Sequence, residues 1–237
     1  MNENDYQVAL LDFPDKDILI IAESRIEKTY RAFACTKEPF TVEWIKEIAH
    51  KGVFYDIGAN VGSYSLIAAS LMSDDHVVVA FEPVLFNFYR LNENILINRL
   101  NNKIIPLNIG LTNRNAIETI YLRNLKPGCT ARALGEEKSD LFTKALCLTL
   151  DSIIHTGNLP FPQHVKIDVD GDELVVLEGG RETFNDSRLK SVMIELDEKN
   201  PEQVSQIYGF LFNSGFTLYD KKQLLSSNGS MGLFKKE

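Results

Sequence analysis

The sequence predicts an α/β protein built on a doubly wound, mostly parallel sheet. Three observations carry that expectation. Residues 53–66 read as a strand, a glycine turn and a helix start. From there on, apolar runs of strand length alternate with segments of helical periodicity, the pattern of βαβ units. Acids stand where two of those runs end, Glu82 before Pro83 and Asp168 after Ile167. In such sheets the carboxyl ends of the strands face the ligand.

Taken in order, residues 1–50 form an N-terminal extension on the domain of residues 51–237. Val8 to Leu11 and Ile18 to Ala22 are short strands around the turn Pro14–Asp17. Pro39 to Ile48 is helical, with Thr41 as N-cap, Gly52 as the stop after His50, and Trp44, Ile45 and Ile48 as its buried stripe. Val53–Ile57 is the first sheet strand, and Val77–Phe81 is apolar enough for the sheet centre. Helix 84–98 follows, with Phe88, Leu91, Ile95 and Leu96 inward. Strand 103–109 holds Pro106, which suits an edge.

The alternation breaks over an insertion at about 112–162. Ala116 to Arg123 reads as a strand, Lys126-Pro127-Gly128 as a turn, and Ala133 to Lys144 as charged and irregular. Leu146 to Leu150 is another strand, and Asp151 begins a short helix stopping near Gly157. The sheet resumes at His164–Val169. Helix 172–185, strand 191–196, helix 201–214 ending at Gly215, and strands 216–219 and 232–235 complete the chain.

Composition narrows the function. The chain has 237 residues, enough for one sizeable core. Its 25 Lys+Arg against 33 Asp+Glu give a net charge of -8, with no basic run, which speaks against a nucleic-acid partner. Three scattered cysteines without a C-x-x-C argue for a reduced, cytoplasmic protein lacking structural zinc. The polar start Met1–Asp5 reads as no signal peptide, and no apolar run suits membrane insertion.

The glycine turn carries the first chemistry. Gly62-Ser63 lacks the lysine of a phosphate-binding P-loop, and Gly58 with Gly62 gives G-x-x-x-G rather than the dinucleotide spacing G-x-G-x-x-G. An acid, Asp56, stands two residues before Gly58. It would repel a pyrophosphate but hold an ammonium group, so D-x-G-x-x-x-G fits S-adenosylmethionine (SAM) better than NAD. Glu82, at the end of the second strand, is placed for the ribose hydroxyls of an adenosine ligand.

The second chemistry lies on strand 164–170. Lys166, Asp168 and Asp170 alternate there with Val165, Ile167 and Val169, and charges on a buried strand need partners. Glu195 on the next strand is a candidate partner. The cluster reads either as a structural ion pair or as an active-site wall. Asp168-x-Asp170-Gly171 does not match an EF-hand loop. His50, His76 and His155 read as loop or helix-end residues, whereas His164 beside the charged strand is a candidate base.

These segments together resemble one family. Phe54-Tyr55-Asp56-Ile57-Gly58-Ala59-Asn60-Val61-Gly62-Ser63-Tyr64-Ser65-Leu66, Phe81-Glu82-Pro83, Thr149-Leu150-Asp151-Ser152-Ile153, Lys166 to Glu173 with Leu177 and Gly179, and Ile194-Glu195-Leu196 are similar to successive motifs of the FkbM family of SAM-dependent methyltransferases. Lys37 to Ile45 is similar to a segment of bacterial members. The resemblance implies a class I methyltransferase fold, Rossmann-like, with a seven-stranded sheet of order 3-2-1-4-5-7-6 and an antiparallel last strand. It implies methyl transfer to a hydroxyl of a small-molecule, sugar, glycolipid or polyketide-type acceptor, with S-adenosylhomocysteine (SAH) as product. By motif, Asp56, Gly58, Ala59, Asn60, Val61, Gly62 and Ser65 would cradle the methionine part, and Glu82 with Pro83 the ribose. Lys166, Asp168 and Glu195 would line the transfer site. Asp170 departs from the Glu of many members. N-methylation, a binding module without catalysis, and a divalent cation on Asp168, Asp170 and Glu195 are the competing accounts.

Overall fold

The computed structural model describes residues 6–73, 75–130, 140–156, 159–225 and 229–237. The extension opens with an antiparallel hairpin, β1 (Val8–Leu10) and β2 (Leu19–Ile21). A π-helical turn (Glu27–Arg31) and a one-turn helix α1 (Ala34–Lys37) follow. Asp12 caps α1 by accepting from the Cys35 and Thr36 N–H groups at 2.8 and 2.7 Å. Helix α2 (Pro39–Ile48) starts one turn earlier than a Thr41 cap would place it. Glu38 is the N-cap, and Pro39 takes the first helical position, where its missing N–H is no loss. The helix ends at Ile48, with Ala49 rather than Gly52 at its C-cap.

Strands and helices then alternate as expected: β3 (Phe54–Ile57), α3 (Ser63–Leu71), β4 (Val78–Phe81), α4 (Leu85–Ile97) and β5 (Ile104–Leu107). Leu96 of α4 faces solvent; the buried face is shared by Leu91 and Ile95 with polar Asn87, Arg90 and Asn94. The insertion forms its own three-stranded sheet from β6 (Gly110–Leu111), β7 (Ala116–Tyr121) and β8 (Phe142–Leu148), in the order β6-β8-β7. Strand β8 starts at Phe142, within the stretch expected to be irregular; residues 131–139 lie outside the described residues, as does Gly157.

Helix α5 (Leu150–Thr156), strand β9 (His164–Ile167), helices α6 (Glu173–Gly179) and α7 (Arg181–Asn185), strand β10 (Ser191–Asp197), helix α8 (Pro201–Asn213) and strands β11 (Thr217–Gln223) and β12 (Gly229–Lys235) complete the fold. The expected helix 172–185 is broken at Gly180. The two last strands are longer than their apolar cores suggested, because pairing with each other and with β10 extends them.

The main sheet has seven strands in the order β11-β12-β10-β9-β3-β4-β5. β12 runs antiparallel to both of its neighbours, β10 and β11. This is the order 3-2-1-4-5-7-6 of the class I methyltransferase fold. Ile57 sits opposite both Phe81 and Ile167, so β3, β4 and β9 end level. One face packs on Trp44, Ile45, Leu66 and Ile67, the other on Leu150, Phe184, Ile207 and Leu211. Burying each such side chain fully is worth roughly 1.5–3 kcal/mol. Among the described residues no helix is long and apolar enough to cross a membrane.

Candidate functional site

The level strand ends open into a cleft, and the glycine turn after β3 forms its floor. Gly58 has φ +82°, and a Cβ there would fall 1.9 Å from the Asp168 carbonyl oxygen. Only glycine lets the β3 and β9 ends approach this closely. Gly62 has φ +92°, and a Cβ would meet Leu91 at 2.4 Å, so this glycine seats α3 on α4. Asn60 takes the left-handed conformation at φ 52°, which Asn tolerates better than most residues.

Glu82 closes one side. Its carboxylate accepts from the Asn60 N–H at 2.9 Å and the Val84 N–H at 2.8 Å. Burial pushes its pKa up to about 7 against the pull of those N–H donors. Asn60 and Asn87 both donate to the Cys129 carbonyl, at 3.2 and 3.0 Å, and Gly128 N–H donates to Asn87 Oδ1 at 2.9 Å. The 127–129 turn of the insertion is thereby tied to the cleft wall, and Thr130 lines the cleft beyond it.

The opposite side is charged. Lys166 Nζ donates to Asp168 Oδ2 at 2.8 Å and lies 4.9 Å from the Tyr64 ring centroid. Burial works against a charged Asp168, but Lys166 and then Lys37 hold its carboxyl well below the usual range. Glu195 is hydrogen-bonded to Asp168, and burial together with the Asp168 charge raises its pKa far above the usual carboxylate value. Lys166 thus pushes Asp168 towards its ionised form, while burial beside that charge pushes Glu195 towards its neutral form. Glu173 accepts from the Val169 and Gly171 N–H groups, both at 3.1 Å, and so fixes the turn in which Asp170 has φ 56°.

The cleft encloses about 210 Å³. It is lined by Gly58, Asn60, Glu82 and Pro83 on one side and by Asp168 and Glu195 on the other. An adjoining lobe reaches Ala59, Val61 and Lys166. Three expected residues lie beneath it. Asp56 is fully buried, accepts from Ser65 Oγ at 2.6 Å and sits opposite Lys166 in the sheet register. Burial raises its pKa, and Lys166 opposes that shift. Gly62 and Ser65 do not reach the cleft surface either.

His164 is placed elsewhere. It starts β9, beside Phe54 and Ser191, at the opposite end of the sheet from the cleft. Its Nδ1 lies 2.7 Å from Ser191 Oγ, which also accepts from Trp44 Nε1. Burial lowers its pKa to about 4. A base at the transfer site cannot come from this position. Among the described residues, no three His, Cys, Asp or Glu side chains are arranged to hold a metal ion.

The extension supplies a wall that sequence reasoning missed. Tyr30, Arg31 and Lys37 line both lobes. Arg31 Nε donates to the Gly128 carbonyl at 2.8 Å. The π-helical turn carrying Arg31 is pinned to α4 by the buried pair Glu27–Arg90 at 2.8 Å, and Glu23 adds a second contact to Arg90 at 2.6 Å. A signal for this packing was present: Asn87, Arg90 and Asn94 interrupt the apolar face of α4 at helical spacing.

Comparison with known proteins agrees with the fold. The chain is 30% identical over 135 residues to the hexuronic acid methyltransferase AglP of Haloferax volcanii, an alignment covering 57% of this chain and 52% of that protein. The chain thus spans about half the length of this curated relative. Among solved structures, it resembles a methyltransferase FkbM from Methylobacillus flagellatus at TM-score 0.57 and 13% identity, over 79% of this chain and 44% of that one. It also resembles a putative O-methyltransferase from Klebsiella pneumoniae at TM-score 0.54 and 13% identity, over 86% and 81%. These likenesses establish the class I methyltransferase fold. The model of the methyltransferase FkbM domain matches residues 56–218, well over half of the chain, and the protein belongs to that family.

Proposed function

We propose that the protein is a SAM-dependent O-methyltransferase acting on a hydroxyl of a sugar-type small molecule or glycan. The observation that carries the reading is the Asp168 carboxyl group facing the cleft beside the glycine turn, with Lys166 Nζ 2.8 Å from one of its oxygens.

The residues fit the cofactor. Gly58 leaves a cradle that a side chain would fill, Glu82 offers a buried carboxylate to ribose hydroxyls, and Arg31 and Lys37 bring positive charge for an α-carboxylate. Asp56 acts from below the cleft surface, bonded to Ser65 and opposite Lys166 in the sheet. The cofactor would supply a methyl group on a sulfonium, so the chain must mainly align the acceptor. Good alignment can be worth about 7–11 kcal/mol. A hydroxyl loses its proton as it is methylated, and the Asp168 carboxylate is positioned to take it. Glu195, in its neutral form, donates to Asp168 and holds its orientation. An amine acceptor would need less of this machinery, which favours oxygen over nitrogen. The Haloferax relative, a hexuronic acid methyltransferase by name, supports a sugar acceptor.

The test is transfer of labelled methyl from SAM to a set of simple hexuronides and neutral glycosides, with and without EDTA. Methylated sugar in both buffers is expected. SAH binding with no transfer to any hydroxyl acceptor or host extract would leave a binding module. Loss of transfer in EDTA would move the reaction to a metal-assisted one.

A further inference from the structure

The turn Pro127–Cys129 is held by side chains from three elements around the cleft. Its successive carbonyls each take a donor: Pro127 from Ser24 Oγ at 3.2 Å, Gly128 from Arg31 Nε at 2.8 Å, and Cys129 from both Asn60 Nδ2 and Asn87 Nδ2. Asn87 of α4, only 2% exposed, also accepts from the Gly128 N–H through Oδ1. These partners fix the orientation of its amide. The reverse orientation would set donor against donor at Gly128 and oxygen against oxygen at Cys129. The second hydrogen of Asn87 Nδ2 is poorly used. Its partner, Glu82 Oε1, lies at 3.5 Å, long for an N–H facing a carboxylate. The Val84 and Asn60 N–H groups hold Glu82 at 2.8 and 2.9 Å, so the carboxylate is not free to close that gap. A hydroxyl group is the ligand that completes both sides, because it donates to a carboxylate and accepts from an amide. Asn87 and Glu82 both line the cleft.

We propose that Asn87 is a positioning residue that couples cofactor binding to the shape of the wall formed by the insertion. The inference rests on the reading of Glu82 as the ribose acid. A ribose hydroxyl seated at Glu82 takes the second hydrogen of Asn87 Nδ2, and the other two bonds of that amide hold Gly128 and Cys129. Cofactor binding thereby steadies the turn, and with it Thr130, the next residue, on the cleft surface. The coupling runs both ways. By whatever factor the cofactor steadies the turn, the turn strengthens cofactor binding by the same factor. The acceptor therefore meets a finished wall only after the cofactor has bound.

The experiment combines amide hydrogen exchange with calorimetric titration of SAH, and it needs no acceptor. Saturating SAH should slow exchange at Gly128 and Cys129 by about fivefold or more in the wild type. In Asn87→Ala, exchange there should be fast and indifferent to SAH. An Asn87 with a purely structural role would speed exchange in that variant but leave the SAH effect in place, and that result overturns the proposal. Gly128→Ala probes the coupling from the far side. Gly128 does not line the cleft, and at φ +87° a Cβ would press on Glu27 and Ile26 at 3.2 and 3.3 Å. The change should weaken SAH binding by about fivefold or more in the wild-type background, and no further in Asn87→Ala. A loss of equal size in both backgrounds would route the effect through Arg31, which also holds Gly128, and would contradict the proposal. So would exchange at 127–129 that SAH leaves unchanged while it binds. No SAH binding by the wild type rejects the cofactor reading itself, and this inference with it.

Discussion

Strand β9 carries a titratable cluster at each end, and the two behave in opposite ways. At the amino end, His164 is buried against Trp44 and bonded to Ser191. Burial keeps it neutral, and it does not line the cleft. At the carboxyl end, Lys166, Asp168 and Glu195 border open space, and the Lys166–Asp168 ion pair is kept there. The residue types differ less than the positions do. In a parallel sheet the loops that can shape a ligand site leave from the carboxyl ends, so a buried polar group there meets solvent and ligand. A polar group at the other end of the strand, four residues before Asp168, becomes a packing element.

Substitutions at the two ends should separate them most sharply. Asp168→Asn is expected to lower turnover by roughly 10²–10⁴-fold while SAH affinity stays within a few-fold. His164→Gln should leave turnover within a few-fold and lower the melting temperature, since it disturbs a buried hydrogen bond worth about 1 kcal/mol. Steady-state kinetics and thermal melts on both variants check this. A large turnover loss in His164→Gln with normal folding would break the comparison.

A smaller effect is expected from pH. Glu82 has its pKa raised to about 7 by burial, so it is ionised above that pH and protonated below it. SAH affinity should be level above pH 7 and fall by up to tenfold per unit below it, as the ribose acceptor is lost. Asp170 and Glu173 are also pushed up to about 7 by burial, so the assignment needs the Glu82→Gln variant. That variant should bind more weakly at pH 8 and lose most of the dependence. Calorimetry from pH 5.5 to 8.5 decides.

The smallest change is expected for Glu195→Gln. Glutamine keeps a donor towards Asp168, so turnover should stay within about tenfold. Its stability signature is sharper. Glu195 has a folded pKa raised from 4.5 to about 10, so the folded carboxyl stays neutral while the unfolded one ionises. Wild-type stability is therefore lost as pH rises from about 4.5 towards 10. Glu195→Gln removes that loss, and its melting temperature relative to wild type should be higher at pH 9 than at pH 5.

The sheet was legible because its strands are short apolar runs bounded by glycine, proline and acids, as at Val53–Gly58 and Val77–Pro83. The carboxyl-end cluster was legible for a related reason: charges on an otherwise apolar strand stand out. What periodicity could not show was which end of the strand a residue occupies in space. His164 and Asp168 are four residues apart and looked like neighbours in one site. The roles of Asp56 and Ser65 were hidden similarly, because their side chains point under the glycine turn and bond to each other. The wall from Tyr30, Arg31 and Lys37 has no pattern of its own in the extension; its one signal lay on α4, in the polar Asn87, Arg90 and Asn94. It depends on a π-helical turn held by the long-range Glu27–Arg90 pair. The helix breaks at Gly180, whose φ -114° and ψ 23° leave the helical range, and packing requires glycine there because a Cβ would lie 2.7 Å from a Phe184 ring carbon.

The central claim is that the carboxyl-end cleft is a SAM site. Isothermal titration of the purified protein with SAM, SAH and NAD tests it most directly. The account predicts that SAM and SAH bind with one site per chain, that Glu82→Ala weakens both by tenfold or more, and that NAD does not bind. NAD binding without SAM binding, or SAM binding indifferent to Glu82→Ala, would contradict it.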